Sequence, residues 1–324
     1  MLLALSHQSA LEYWRVHPDL SSSNKQIRTR ASVPSVWPTP ENLAALGTSL
    51  PMHILLRNPG LRRPSESIIP HIFTSRTPIG CFVQIDSKLS VSSPEFCFLQ
   101  LAGQLALPKL IELGYELCGT YSLPHEIAQE QTGRGFADRP PLTSKHRLEA
   151  FIASMPGVRG YRKAKQALHY IQNNSASPME TKLCILLVLP NRYGGYGIPL
   201  PLLNKRIDPS KAIRRSANRS KYFCDLFWPD FDLAVEYESN AYHSSPEQIA
   251  SDSKRRNTLV TQGITVITVT SQQIHDILEF DKVATQIARN MQRRFWFTNP
   301  EFAKLRFKLR TQILFDQASL GRKV

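Results

Sequence analysis

Apolar positions recur with two different periods along this chain, and the switches between them predict its elements. Near the start, Ala10, Leu11 and Trp14 share one side of a helix from about His7 to Arg15. A Ser/Pro-rich stretch follows from His17 to Pro40, carrying Pro18, Pro34, Pro38 and Pro40 and little periodicity. Short strands are expected at Met52–Leu56, His71–Thr74 and Cys81–Ile85, then a helix from about Pro94 to Leu107. Gly133, Gly135, Pro140 and Pro141 interrupt any regular pattern between Gln129 and Pro141. Two helices are expected next, about Lys145–Ser154 and Tyr161–Gln172. The second opens with Arg159, Arg162, Lys163 and Lys165, a run that can face phosphates or form an ordinary solvated surface.

From Ser177 the signals sharpen. Ser177-Pro178-Met179-Glu180 opens a helix running to about Leu189, with Ser177 as N-cap, Pro178 at the first helical position and Glu180 completing a capping box. Strand-like segments are expected at Gly197–Leu200, Tyr222–Phe227 and Leu233–Ser239. A helix from about Pro246 to Gln262, the β-rich run Ile264–Thr270 and further helices beginning near Ser271 complete the series. An α-β-β-β-α-β order predicts an α/β fold, a mixed sheet flanked by helices. Three regions follow: a small α+β domain over 1–140, a helical connector over 141–175, and the mixed-sheet domain over 176–324.

Charge narrows the choice of partner. The 324 residues carry 40 Lys and Arg against 26 Asp and Glu, a net charge of +14. Such a surplus favours a polyanion, because each neutralised phosphate releases condensed counterions. Cys81, Cys97, Cys118, Cys184 and Cys224 lie far apart without metal-ligand spacing, as expected for reduced thiols in the cytoplasm. The opening Met1–Leu5 lacks a basic flank and turns polar at Ser6, so no signal peptide is expected. No apolar run approaches the roughly 20 residues of a membrane span, and no membrane partner is expected.

The candidate chemistry lies in Phe223-Cys224-Asp225-Leu226-Phe227 and Leu233-Ala234-Val235-Glu236-Tyr237-Glu238, joined by the corner Trp228-Pro229-Asp230-Phe231. So short a link predicts an antiparallel hairpin. If Trp228 opposes Phe231, Asp225 falls opposite Ala234, and alternation puts Asp225, Glu236 and Glu238 on one face. Cys224, Leu226, Leu233, Val235 and Tyr237 then form the core face. Converging carboxylates repel unless a cation or proton intervenes, and hard oxygen donors suit Mg²⁺ or Mn²⁺. The bland alternative is a hydrophilic strand face in solvent. Downstream, Asn240, Tyr242 and His243 follow the strand, and Asp252, Arg255, Arg256 and Leu259 share a broad helical face.

The set Asp225, Val235-Glu236-Tyr237-Glu238, His243, Asp252, Arg255, Leu259 and Gly263 resembles an uncharacterised bacterial endonuclease-like family. That family is related to the very-short-patch-repair (Vsr) mismatch endonuclease of the PD-(D/E)XK superfamily. Gly157-Val158-Arg159-Gly160 and Ser177–Thr181 match its usual lead-in, and the resemblance covers roughly residues 145–290. It implies a restriction-endonuclease-like core in which Asp225 and Glu236 bind metal. It makes Glu180 the acidic residue of the first helix, and His243 a general base. Glu238 stands where the commonest pattern has Lys, as Vsr relatives also dispense with that Lys, and Ser239 replaces a usual Gly. Glu180 carries two readings, since its capping box explains it without catalysis.

Between two expected strands, the loop of residues 204–221 holds Lys205, Arg206, Lys211, Arg214, Arg215, Arg219 and Lys221 against Asp208 alone. This is a candidate phosphate clamp, joined by Arg255 and Arg256, with Asp252 as an orienting carboxylate. Near the end, Phe302, Leu305, Leu309 and Ile313 fit a basic helix. His7–Leu11 and the Ser93-Pro94-Glu95 helix start resemble the C-terminal domain of AbiEi-type antitoxins, which allows a partner or specificity role for the N-terminal part. The function expected is a Mg²⁺- or Mn²⁺-dependent endonuclease acting on nucleic acid, DNA before RNA. Asp225 and Glu236 would hold metal, Glu238 and Glu180 would assist, and His243 would move the proton. The alternatives are a non-catalytic nucleic-acid-binding or antitoxin-like regulator, and a protein-interaction module of a defence system.

Overall fold

The structure is a computed structural model that describes residues 3–18, 28–29, 50–63, 65–123, 135–208, 221–238, 246–294 and 300–315, with backbone alone for 28–29, 246–252 and 300. It is mixed α/β and divides into two compact units, residues 1–171 and Gln172–Asp316. Among the described residues no helix is long and apolar enough to cross a membrane. All five cysteines are free and buried.

The first unit is built on a six-stranded mixed sheet. Its strands are β1 (Leu3–Leu5), β2 (Arg28–Thr29), β3 (Met52–Leu56), β4 (Ile68–Ile72), β5 (Phe82–Gln84) and β6 (Leu89–Ser92), in the order β2-β5-β6-β1-β3-β4. Helix α1 (His7–Val16) packs Trp14 into the core, and its indole N–H donates to the Ser92 carbonyl at 2.8 Å. Helices α2 (Pro94–Ala102) and α3 (Leu107–Cys118) follow. The expected helix to Leu107 therefore ends five residues earlier, and a second helix takes over.

Arg15 donates to both carboxylate oxygens of Glu116 at 2.8 Å, a forked pair tying α1 to α3. The two helices expected in the connector are α4 (Lys145–Ala153) and α5 (Tyr161–Leu168), and both belong to this first unit. Arg147 of α4 pairs with the buried Glu95 of α2 at 2.9 Å.

The second unit holds α6 (Pro178–Val188), β7 (Leu202–Ile207), β8 (Tyr222–Trp228), β9 (Leu233–Glu238), α7 (Pro246–Thr261) and β10 (Thr265–Thr270). This is the α-β-β-β-α-β order, with the first strand at Leu202–Ile207 instead of Gly197–Leu200. The sheet runs β10-β9-β8-β7, with β9 and β10 parallel and the other pairs antiparallel. The parallel pair requires a crossover, which α7 supplies. Helices α8 (Ser271–His275), α9 (Ile277–Asn290) and α10 (Pro300–Arg310) close the unit. Arg306 pairs with Asp281 of α9, and Arg310 donates to the Ile274 carbonyl at 2.6 Å, so these two cations of α10 are spent on packing.

Candidate active site

The hairpin register differs from the expected one by two residues. Phe227 pairs with Ala234, Leu226 with Val235 and Trp228 with Leu233, so Asp225 lies across from Glu236 instead of Ala234. The Pro229–Phe231 corner forms a 3-10 turn closed by Asp232 in the left-handed region (φ 43), and this turn absorbs the two extra residues.

The ladder between β8 and β9 stops at Leu226. Beyond it, the Tyr237 N–H donates to the Asp225 carboxylate at 2.8 Å, where a regular ladder would offer a backbone carbonyl. Alternation along β8 is reset at the same point. Tyr222 and Cys224 pack in one cluster with Phe227, Ala234 and Leu259, although residues 224 and 227 of an unbroken strand face opposite ways. Cys224 therefore leaves the core face assigned to it and lies on the side of α7. Across from Asp225 on β7, Asn204 takes φ 45, so both strands bend at one level. This local break lets a carboxylate sit in the sheet's edge-on gap.

Three carboxyl groups share the consequences. Asp225 is half-buried, and burial raises its pKa although the Tyr237 N–H and the Arg255 charge act against the rise. Glu236 is buried, and its pKa is pushed up to about 8 by burial first and by Asp225 second. Glu180 on α6 is pushed up to about 7 by the same two causes in the same order. Asp225 is thus the common electrostatic neighbour of Glu180 and Glu236. Cys224 lies alongside, its thiol pushed up to about 12 by burial and then by the Glu236 charge.

Glu180 is held from two sides. Ser177 caps α6 by accepting the Glu180 N–H at 3.2 Å, as expected. The reciprocal half of the capping box is absent, because the Glu180 carboxylate instead accepts the Ala176 N–H at 3.0 Å and the Asn204 amide at 2.7 Å. Asn204 also donates to the Asn174 carbonyl at 2.9 Å, which fixes its orientation. No sequence signal singled out Asn204, since asparagine in an expected loop is commonplace. Its left-handed backbone inside a strand is what places the amide.

Glu236 has a divided environment. One oxygen accepts from Arg255 at 2.5 Å, and Arg255 also donates to the Phe223 carbonyl. The other oxygen is buried with no N–H or O–H donor among the described residues, and the Cys224 thiol is a weak donor to this carboxylate. An unsatisfied buried carboxylate oxygen costs on the order of 1–3 kcal/mol, more when charged, so it marks a position where a donor or cation would be stabilising. Among the described residues, no three His, Cys, Asp or Glu side chains form a group arranged to hold a metal ion. The fit to Mg²⁺ rests on the Asp225–Glu236 pair, and one or two protein carboxylates with water and substrate oxygens are a usual complement for that ion.

The other expected site residues are placed differently. Glu238 is half-exposed and pairs with Arg256 at 3.3 Å. Its charge is not among those that perturb Asp225 or Glu236. Arg256 also donates to Thr268 at 2.9 Å. Arg255 and Arg256, expected as phosphate contacts, thus have protein acceptors. Lys205 and Arg206 lie on β7, not in a loop, and Arg206 pairs with Asp208 at 2.7 Å in an exposed position. His243, Lys211, Arg214, Arg215 and Arg219 lie outside the described residues, as does the side chain of Asp252.

No protein-family profile matches the chain, and no solved structure matches it. Two relatives are uncharacterized proteins of Mycobacterium tuberculosis, one from strain CDC 1551 and one from strain H37Rv. Each is 23% identical over 261 residues, covering 78% of this chain and 82% of the relative. The aligned length exceeds that of either unit, so the similarity takes in parts of both.

Proposed function

We propose that the second unit is a metal-dependent phosphodiesterase, an endonuclease on nucleic acid with DNA as the first candidate substrate. The observation that carries this reading is the Asp225 carboxylate set in the break of the β8–β9 ladder. It is flanked by Glu180 and Glu236, with one Glu236 oxygen buried and lacking any N–H or O–H donor among the described residues. Such a centre disfavours full ionisation of its own groups, which is the condition a bound cation relieves. Asp225 and Glu236 would hold Mg²⁺ or Mn²⁺, which supplies Lewis acidity toward a phosphodiester oxygen and toward water.

The chain's own residues then have separable roles. Asp225 is oriented by the Tyr237 N–H. Arg255 carries the compensating charge of Glu236 and keeps that side chain turned toward the centre. Glu180, near neutrality in its pKa, is suited to accept or return a proton at the pH of the cell. His243 would take a proton from water or give one to the leaving oxygen.

The Arg255–Glu236 pair favours a second reading, a nucleic-acid-binding regulator in which arginine occupies the cation's place permanently. Plasmid and single-stranded DNA incubated with the protein in Mg²⁺, Mn²⁺ or EDTA separate the two. Metal-dependent products lost in Asp225→Asn and Glu236→Gln support the enzyme. Salt-sensitive binding without products, unchanged by either substitution, supports the regulator and overturns the nuclease.

A further inference from the structure

The first unit contains a concave corner that the nuclease reading leaves unused. Gly157-Val158-Arg159-Gly160 turns the chain from α4 into α5, with both glycines in the left-handed region (φ 79 and 91). The corner rests directly on the end of α2. A Cβ on Gly160 would come within 2.8 Å of the Gly103 nitrogen and the Leu99 carbonyl oxygen, so only glycine permits this approach. The Arg159 stem lies across Gly103, about 3.4 Å from where a Cβ would stand. These contacts form one wall of a cavity of about 670 Å³.

The cavity's charges are all of one sign. Arg159, Arg162 and Lys163 line it, and no carboxylate does. Lys163 donates to the Leu105 carbonyl at 2.7 Å and is tethered at the rim. Arg159 and Arg162 are exposed and have no ion pair or hydrogen bond among the described residues. No side chain caps the start of α5, which adds the positive end of a helix to the same wall. The field of Arg159 reaches inward, where it contributes to lowering the pKa of His7 and His71.

We propose that this corner is a second nucleic-acid contact, a seat for the phosphodiester backbone of a strand, with Arg159 and Arg162 as its phosphate ligands. Two glycines three residues apart let the backbone between them approach a strand closely, as GXXG loops do when they clamp nucleic-acid backbones. Tyr161, in the same wall, offers a ring face to a base. A strand fits better than a free phosphate or small phosphoester. The guanidinium groups stand exposed at the mouth and do not converge from buried positions. The rest of the lining is glycine, alanine, valine and tyrosine, with no buried polar group to select a small head group. The net charge of +14 adds long-range attraction for a polyanion.

The test is fluorescence anisotropy of the full chain with a short labelled oligothymidine, in EDTA, over a range of salt. Binding without metal keeps the result separate from the nuclease reading, whose own failure appears only as lack of cleavage in Mg²⁺ or Mn²⁺. Each phosphate contact to a single strand contributes about 0.7 to the slope of log K against log salt. The Arg159→Ala/Arg162→Ala double variant should bind more weakly, with the slope reduced by about 1.4. The Arg159→Lys/Arg162→Lys variant should keep most of the slope. Both side chains are exposed, and an unchanged thermal melt verifies that each variant is folded. Unaltered affinity and slope in the alanine variant overturn the proposal. So does displacement of the oligonucleotide by inorganic phosphate at fixed ionic strength, which would assign the corner to a small anion.

Discussion

The Asp225 centre should stabilise when it is disabled. Asp225→Asn removes one negative charge but keeps an oxygen to accept the Tyr237 N–H, so the break in the ladder is preserved. The raised pKa of Asp225 means that its ionised form is disfavoured in the fold on balance, with the attraction of Arg255 already included. Glu236 at about 8 and Glu180 at about 7 add to this. An acid with a raised folded pKa stays protonated in the fold while the unfolded chain ionises near 4.5. The resulting loss of stability therefore begins above pH 4.5 and grows until the folded pKa is passed. At about 1.4 kcal/mol per pKa unit, the rise of Glu236 alone amounts to about 5 kcal/mol above pH 8. Burial is the larger cause and Asp225 the next, so the part that the substitution returns is smaller, on the order of 2 kcal/mol.

For a unit of this size that amount corresponds to a rise in Tm of about 4–8 °C. Thermal melts in EDTA should show the variant above the native protein at pH 8, with the margin smaller at pH 5, where Glu180 and Glu236 are protonated in both. Mn²⁺ at pH 8 should raise the native Tm and leave Asp225→Asn unmoved, because a ligand stabilises only the state that binds it. A variant melting no higher than the native protein at pH 8, or higher by the same margin at pH 5, refutes the electrostatic reasoning.

Above pH 8, where Glu236 is ionised, Arg255→Gln leaves it without its counter-charge and should lower Tm in EDTA by the equivalent of about 2 kcal/mol, with Mn²⁺ recovering most of the loss; melts above that pH with and without the ion check this. In the first unit, His7, His53 and His71 stack together, His7 and His71 with ring centroids 3.6 Å apart, and burial is the main cause that lowers all three pKa values. Such groups are neutral in the fold, so the unfolded chain takes up protons first as pH falls below 6.5, and stability is lost from there down to about pH 4. His71, lowered to about 4, contributes about 3 kcal/mol of that loss, which urea titrations across this pH range measure. Glu116→Ala strands the nearly buried Arg15 and should destabilise the first unit by about 3–5 kcal/mol in urea.

How much of this was legible depended on whether a signal was local. The Ser177 cap, the Pro246 helix start and the run Thr265–Thr270 lie in adjacent residues, and each element begins within one or two positions of its expected place. Strand β7 was misplaced because Asn204, Lys205 and Arg206 are polar and half or more exposed, which reads as loop until a partner strand supplies the pairing. Strands β1 and β6 went unrecognised because each is three or four residues long and finds its order from the other, across more than 80 residues. Arg255 could be placed on the right helix face, but whether its fork meets a phosphate or Glu236 depends on the distance between α7 and β9, and no periodicity encodes that.

Asp225 and Glu236 lie across from each other despite the register error, for a reason that has its own limit. Faces of a hairpin depend only on the parity of the register, so an error of two residues left Asp225 and Glu236 together while changing which residues are direct neighbours. Parity fails wherever alternation itself is interrupted, and it is interrupted at Asp225. That is why Cys224 moved to the side of Glu236, and why Glu180, on a helix before the sheet, became an electrostatic neighbour of the same aspartate. A regular strand would have left Asp225 as one more acid on a solvated face. The break turns its carboxylate into the partner of a backbone amide, half-buried beside two other acids, and burial there raises its pKa.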